Sequence, residues 1–195
     1  MKKNIRLYDE IKKYQTNMSR QLTLVAKNEG TEESIKNNSL VVDVDVARQS
    51  LLIKDMVEDM DEEELNEGTE IPLPNVEFEV LKKCVDYMKY HVTAKVAEIP
   101  KPLQGTIEEF LKSVKADFEL AFIDKLTNET IIEIIMAANY MNINDLLQLM
   151  CAVIASQIKG KTPEQIRELF GIENDFTPEE EERIREENKW CEEGV

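Results

Sequence analysis

From Gly160 to Glu193 the chain reads GKTPEQIRELFGIENDFTPEEEERIREENKWCEE, and it carries one helix-start signal twice. Thr162-Pro163-Glu164-Gln165 and Thr177-Pro178-Glu179-Glu180 each place a Thr hydroxyl where it can cap a free backbone N–H. Each has Pro at the first helical position, where the missing N–H costs nothing, and a Gln or Glu that can reach back to the cap. Glu164, Glu179 and Glu180 set negative charge against the positive end of a helix dipole. The first helix carries Ile166, Leu169 and Phe170 on one stripe and stops at Gly171, a residue suited to a left-handed cap. The second, from Pro178 to about Lys189, is nearly all charge. Ile184 is its one strong apolar residue, and Trp190, the only Trp, lies at its end. Such a helix buries too little of its own surface to be held by packing within the chain. A lone Trp beside it is either an anchor completed by another protein or a ring folded back on its own domain, and spacing alone leaves both open.

Upstream of this tail the pattern turns apolar. Asp145 to Lys159 has no charge between its ends, and Gly160 closes it. A helix apolar all round must be covered all round, so its own domain takes one side and the terminal helices or a partner take the other. Thr130 to Met141 is apolar on most sides and is expected to be the central core helix. Asn142-Ile143-Asn144 joins the two, with Asn144 placed as the cap of the second. Glu77 to His91 is a third helix, with Phe78, Leu81, Val85 and Met88 on one face, and Ala47 to Met60 a fourth, with Leu51, Leu52, Met56 and Val57.

The N-terminal half also holds strands. Gln21 to Lys27 alternates through Leu22, Leu24 and Ala26, and Leu40 to Val46 is Val-rich. The two are expected to pair as a hairpin across the polar, turn-rich stretch Asn28 to Ser39. Ile71 to Val76 contains Pro72 and Pro74, so it is an edge strand or a connector. Val92 to Gly105, with Pro100 and Pro102, reads as a linker, and Thr106 to Leu126 as helical in places. Asp61 to Glu70 is an acidic loop. It lacks the glycine a calcium loop needs at its sixth position, which is Glu64 counting from Asp59.

Bulk properties exclude more than they identify. The chain has 195 residues, 42% of them hydrophobic, enough for one core with extensions. Its formal charge of −16 argues against nucleic acid and against anionic membranes as partners. The longest uncharged stretch, Leu146 to Ile158, is shorter than the ~20 residues a bilayer span requires. Cys84, Cys151 and Cys191 lie far apart, and His91 is the only histidine. That set lacks zinc-ligand spacing and reads as reduced thiols in the cytoplasm or nucleus. Gly160-Lys161-Thr162 imitates the end of a phosphate-binding loop, but Ala155 stands where a glycine is needed and Pro163 removes an N–H. An enzyme reading therefore has no support, and neither a cofactor nor a metal is expected. Met1 to Asn17 is basic through Lys2, Lys3, Arg6, Lys12 and Lys13, with Asp9 and Glu10 arguing against a transit peptide.

The Gly160–Glu193 segment resembles the C-terminal part of the S-phase kinase-associated adaptor family, whose members link F-box proteins to the cullin scaffold of SCF ubiquitin ligases. The similarity is nearly continuous from about Asn128 to Glu193 and looser from about Leu40 to Tyr90. Between about Thr93 and Leu126 it runs through a gap, and the family usually has Trp where Phe118 falls. The resemblance implies an α+β fold: a BTB/POZ-type domain, a small sheet covered by helices, with a C-terminal helical F-box-binding extension. It divides the chain into an extension (1–17), a POZ-like core with variable loops at 61–70 and 92–105 (18–126), and core helices running into the F-box-binding helices (127–193). It further implies an F-box surface of Cys151, Ile154, Ile158, Ile166, Leu169, Phe170, Asn188 and Trp190, and a cullin surface that includes Asn139 and Tyr140. Some protist members are hydroxylated and glycosylated at the proline that corresponds to Pro178. F-box proteins and a cullin are the partners expected, with a homodimer when these are absent. The competing class is a BTB-type homo-oligomerisation or scaffold module without an F-box partner.

Overall fold

The computed structural model describes residues 20–28, 30–58, 60 and 69–189. The basic extension, residues 61–68 of the acidic loop, Trp190 and Cys191 lie outside the described residues. The architecture is α+β: a three-stranded sheet of order β2-β1-β3 packed with helices. Strand β1 (Gln21–Ala26) buries Leu22, Leu24 and Ala26, the alternating set expected of it. It pairs antiparallel with β2 (Ser39–Asp43), Leu22 opposite Val42 and Leu24 opposite Leu40. On its other side β3 (Glu70–Leu73) runs parallel, with Leu24 opposite Ile71. Pro72 is tolerated because β3 is an edge and the proline needs no partner on its open side.

Two expectations fail around this hairpin. Asn28 to Ser39 is not merely turns: it holds helix α1 (Glu32–Asn37), capped by the Thr31 hydroxyl accepting from the Ser34 N–H at 3.2 Å. None of its residues is buried, so no apolar period announced it. The second strand also ends early, at Asp43, where Val44–Ala47 coil into α2. Three of those four residues, Val44, Val46 and Ala47, are buried. Packing against the core has overridden their strand propensity.

The helices α3 (Leu51–Glu58), α4 (Phe78–His91), α5 (Ile107–Ser113), α6 (Asp117–Ile123), α7 (Asn128–Tyr140) and α8 (Asn144–Ile158) follow. One hydrophobic core joins the sheet to Ile53 and Val57 of α3, Leu81, Val85 and Met88 of α4, Ile131 and Ile134 of α7, and Leu146, Leu149, Met150 and Val153 of α8. On α4 the core face is wider than its expected stripe: Phe78 is only half-buried, while Cys84, Tyr87 and His91 are buried. Burial pushes the Cys84 thiol up to about 12, so it stays protonated and inert.

Helix α7 is not covered on every side, contrary to its composition. Ile132 and Met136 face outward, Met136 with 67% exposure. Asn144 is the first residue of α8 rather than its cap; the carbonyl before it, on Ile143, accepts the first helical bond from Leu147 at 3.0 Å. The chain divides into two compact units, one running through Gln157 and the other starting at Ile158. The second contains α9 (Pro163–Phe170) and α10 (Pro178–Glu187).

Candidate functional site

The C-terminal unit is built by local rules. At α9 the Gln165 N–H donates to the Thr162 hydroxyl while the Thr162 N–H donates to the Gln165 side chain at 3.0 Å. At α10 the same reciprocal pair joins Thr177 and Glu180, with the Thr177 N–H donating at 2.9 Å. Both capping boxes read from the sequence are therefore formed. Gly171 ends α9 at φ 63°, and the Ile172 N–H donates back to the Arg167 carbonyl at 2.9 Å. Only a residue without Cβ takes that conformation at no cost. Glu164 has its carboxyl held below the ordinary range by its own backbone N–H, by the Thr162 hydroxyl, and by Arg167 and Arg185. This contribution to α9 is present above the ordinary carboxylate range and is lost as the pH falls below that range, through the depressed value.

What joins α9 to α10 is polar and thin. Arg167 Nη1 lies 3.4 Å from Glu181 Oε1, and the same oxygen accepts from Asn174 Nδ2 at 2.7 Å. The Arg167 guanidinium also sits 5.9 Å from the centre of the Phe176 ring. Contacts of this kind contribute about 1 kcal/mol or less each near a surface. Between the two helices lies a cleft of about 750 Å³, lined by Pro163, Arg167, Phe176, Ile184 and Asn188 among others. No described residue from Ile158 onward is buried. Ile166, Leu169 and Phe170 are half-covered, Ile184 and Asn188 are exposed, and Pro178 is exposed at the start of α10.

In the preceding unit, α8 is two-faced. Leu146, Leu149, Met150 and Val153 point into the core, whereas Cys151 and Ala155 are exposed and Ile154 is half-covered. Ile158, the last residue of the helix, is 37% exposed. Spacings of three and four residues put Cys151, Ile154, Ala155 and Ile158 on one face of this helix. Seven of the eight expected F-box residues thus fall in three places: Cys151, Ile154 and Ile158 on α8; Ile166, Leu169 and Phe170 on α9; and Asn188 just past α10. Trp190 lies outside the described residues.

Asn139 and Tyr140 stand at the C-terminal end of α7, Asn139 exposed and Tyr140 half-buried. Their placement depends on a residue that sequence reading passed over. Ser50 is fully buried; its hydroxyl donates to the Met141 carbonyl at 2.5 Å and accepts from the Ile53 N–H at 3.2 Å. Leu51 and Leu52 add N–H bonds to the Asn142 and Met141 carbonyls, both at 3.4 Å. The start of α3 thereby fixes the end of α7, and Asn142 takes a left-handed φ of 54° as the chain turns there. A single buried Ser has no periodic signal, so only the tertiary structure reveals it. Ser50→Ala is expected to destabilise the fold by about 1–2 kcal/mol, because it leaves a buried N–H without its partner; the shift of the urea midpoint checks this.

Comparison with known proteins gives a consistent picture. Residues 33–93 match the family model described as "Skp1 family, tetramerisation domain", a POZ domain, and residues 144–191 match "Skp1 family, dimerisation domain". The chain is 46% identical over 162 residues to the S-phase kinase-associated protein 1 homolog of Tetrahymena thermophila, covering 83% of this chain and 93% of that protein. It is 44% identical over 161 residues to SKP1-like protein 1A of Arabidopsis thaliana, covering 82% and 94%. With SCF ubiquitin ligase complex protein SKP1a of Dictyostelium discoideum it shares 41% identity over 162 residues, covering 82% and 93%.

Proposed function

This chain belongs to the Skp1 family, and on that ground we propose that it is the non-catalytic adaptor of an SCF ubiquitin ligase, joining F-box substrate receptors to a cullin. Relatives named as subunits of SCF complexes support this, as does the α+β POZ-type fold. The observation that carries it is the bareness of the C-terminal unit, which has apolar residues on both helices and none of them buried. Helices of eight and ten residues are too short to be stable on their own, so a surface supplied from outside is what completes them.

An F-box segment would cover the outer face of α8 at Cys151, Ile154 and Ile158, then Ile166, Leu169 and Phe170, with Asn188 and Trp190 closing over it. A cullin would take Asn139 and Tyr140. Holding both raises the local concentration of substrate near the ubiquitin-loaded enzyme without this chain making or breaking a bond. Co-purification with an F-box fragment and, separately, with a cullin N-terminal fragment tests the two halves. Absence of both complexes would reject the reading.

A thiol gives a sharper test of the F-box half. Cys151 is exposed on the proposed surface and Cys84 is buried. In a Cys191→Ser variant, a thiol reagent is expected to modify Cys151 readily and Cys84 not at all until unfolding. Adding an F-box fragment should slow Cys151 modification at least about tenfold. Undiminished reactivity in a formed complex would remove Cys151 from the surface. Pro178, exposed beside the Thr177 cap, is proposed as a hydroxylation and glycosylation site, and intact mass of the chain from its own cells decides that.

The description of residues 144–191 as a dimerisation domain favours a second reading, that the same apolar surface pairs two copies when no F-box protein is present. Solution mass with and without an F-box fragment separates the cases. A dimer that the fragment converts to a heterodimer fits a shared surface, whereas a dimer that persists places self-association elsewhere.

A further inference from the structure

His91, the only histidine, is the last residue of α4 and its side chain is 1% exposed. Its Nε2 lies 3.3 Å from Oε1 of Glu119 on α6, whose side chain is 5% exposed. Ser50, His91 and Glu119 are the only buried polar or charged residues among those described, so this is the one buried pair of opposite potential charge. On its other side, Nδ1 is 3.3 Å from the Ala94 carbonyl in the connector that follows α4. A carbonyl oxygen only accepts, so Nδ1 must carry the proton. Nε2 has no aligned hydrogen-bond partner, and its contact with Glu119 is therefore one of charge rather than of a directed bond. In a neutral ring protonated at Nδ1, Nε2 would present a lone pair to a buried carboxylate. In the doubly protonated ring, the same approach becomes an attraction in a medium that screens it weakly.

We propose that His91 and Glu119 form a proton-dependent latch: the imidazolium holds α6 and the 92–106 connector against the end of α4, and loss of the proton releases them. The surroundings are consistent with a cation at His91. Tyr87 lies 4.4 Å away between ring centres and Tyr90 5.0 Å away, edge-on, both from α4 itself. From α6, Phe118 meets His91 edge-on at 5.8 Å and stacks on Tyr90 at 3.8 Å. From α8, Asp145 lines a small void together with Tyr87 and Glu119. The charged group against the ring is thus the Glu119 carboxylate, with the Asp145 carboxylate on the void beside Glu119. Burial, with Asp145 and Glu119 nearby, pushes the Tyr87 phenol well above its ordinary value, so it stays neutral throughout.

Position sets what the latch controls. Closing His91 on Glu119 pins both ends of the segment between them, which has no regular structure from Lys95 to Thr106. Helix α5 is tied separately, by the Ile107 N–H donating to Ser156 Oγ at 2.9 Å. Release should therefore loosen the connector and α6 while leaving α7 and α8 intact. The closed form holds a proton that the open form gives up, so raising the pH favours opening.

Hydrogen exchange of the full chain tests this, with amides of α7 and α8 as the internal reference. Protection factors in residues 95–106 and in α6 are expected to fall at least about fivefold between about pH 5.5 and about pH 8, across the range where a histidine changes charge. His91→Gln and Glu119→Gln should each abolish that pH response, and the single imidazole resonance in NMR should track it in the unaltered chain. Equal protection at both pH values, or a response that persists in His91→Gln, would overturn the latch.

Discussion

Ended after Gly160, the chain is expected to keep a cooperatively folded core and to lose all measurable affinity for an F-box fragment. The reason lies in where burial stops. Every buried side chain among the described residues lies at or before Val153 on α8. From Ile158 onward, no described residue is buried. Gly160, at φ 73°, is retained so that α8 still ends on a residue suited to a left-handed turn. Thermal unfolding of the shortened chain should match that of the full chain to within a few degrees, since the missing contacts are worth only about 1 kcal/mol each. Cullin binding through Asn139 and Tyr140 should survive. A shortened chain that fails to fold would show that α9 and α10 support the core, and one that still binds F-box fragments would move the receptor surface elsewhere.

Replacing Trp190 by Ala is expected to weaken F-box binding by about 2 kcal/mol or more, roughly thirtyfold, as for an aromatic anchor at the centre of an interface. A large aromatic side chain buries about 150–250 Å² when it enters a pocket, and the charged helix before it offers little else to bury. Ile184 is the one strong apolar residue of α10, and it is already exposed. Calorimetric titration of the two chains with one F-box fragment measures the difference. Unchanged affinity would reject Trp190 as an anchor, and Ile166, Leu169 and Phe170 on α9 would then have to supply the apolar contact.

The sequence made some features legible because they follow local rules. Thr162, Thr177, Pro163, Pro178 and Gly171 act on their own helix ends, and the structure has both boxes and the left-handed cap where the spacing placed them. The β1–β2 pairing was equally readable, since a period of two needs only one covered face. Other features depend on what lies across the fold. Val44 and Val46 leave the strand because the core buries them from a helix. Ile132 and Met136 on α7 are exposed because packing covers only part of that helix, which composition cannot reveal. Ser50 and His91 acquire their roles from partners 91 residues away in one case and on a different helix in the other. Spacing and composition alone singled out neither Asn139 nor Tyr140, whose candidacy came from the family resemblance.

The central claim is that α9 and α10 are unfinished until a second polypeptide covers them, and amide exchange across these two helices, with and without an F-box fragment, measures it directly. In the free chain, amides from Gln165 to Phe170 and from Glu181 to Glu187 are expected to exchange far faster than those of α7, and to become protected at least about a hundredfold when the fragment binds. Full protection of both helices in the free chain, unchanged on adding the fragment, would contradict the account.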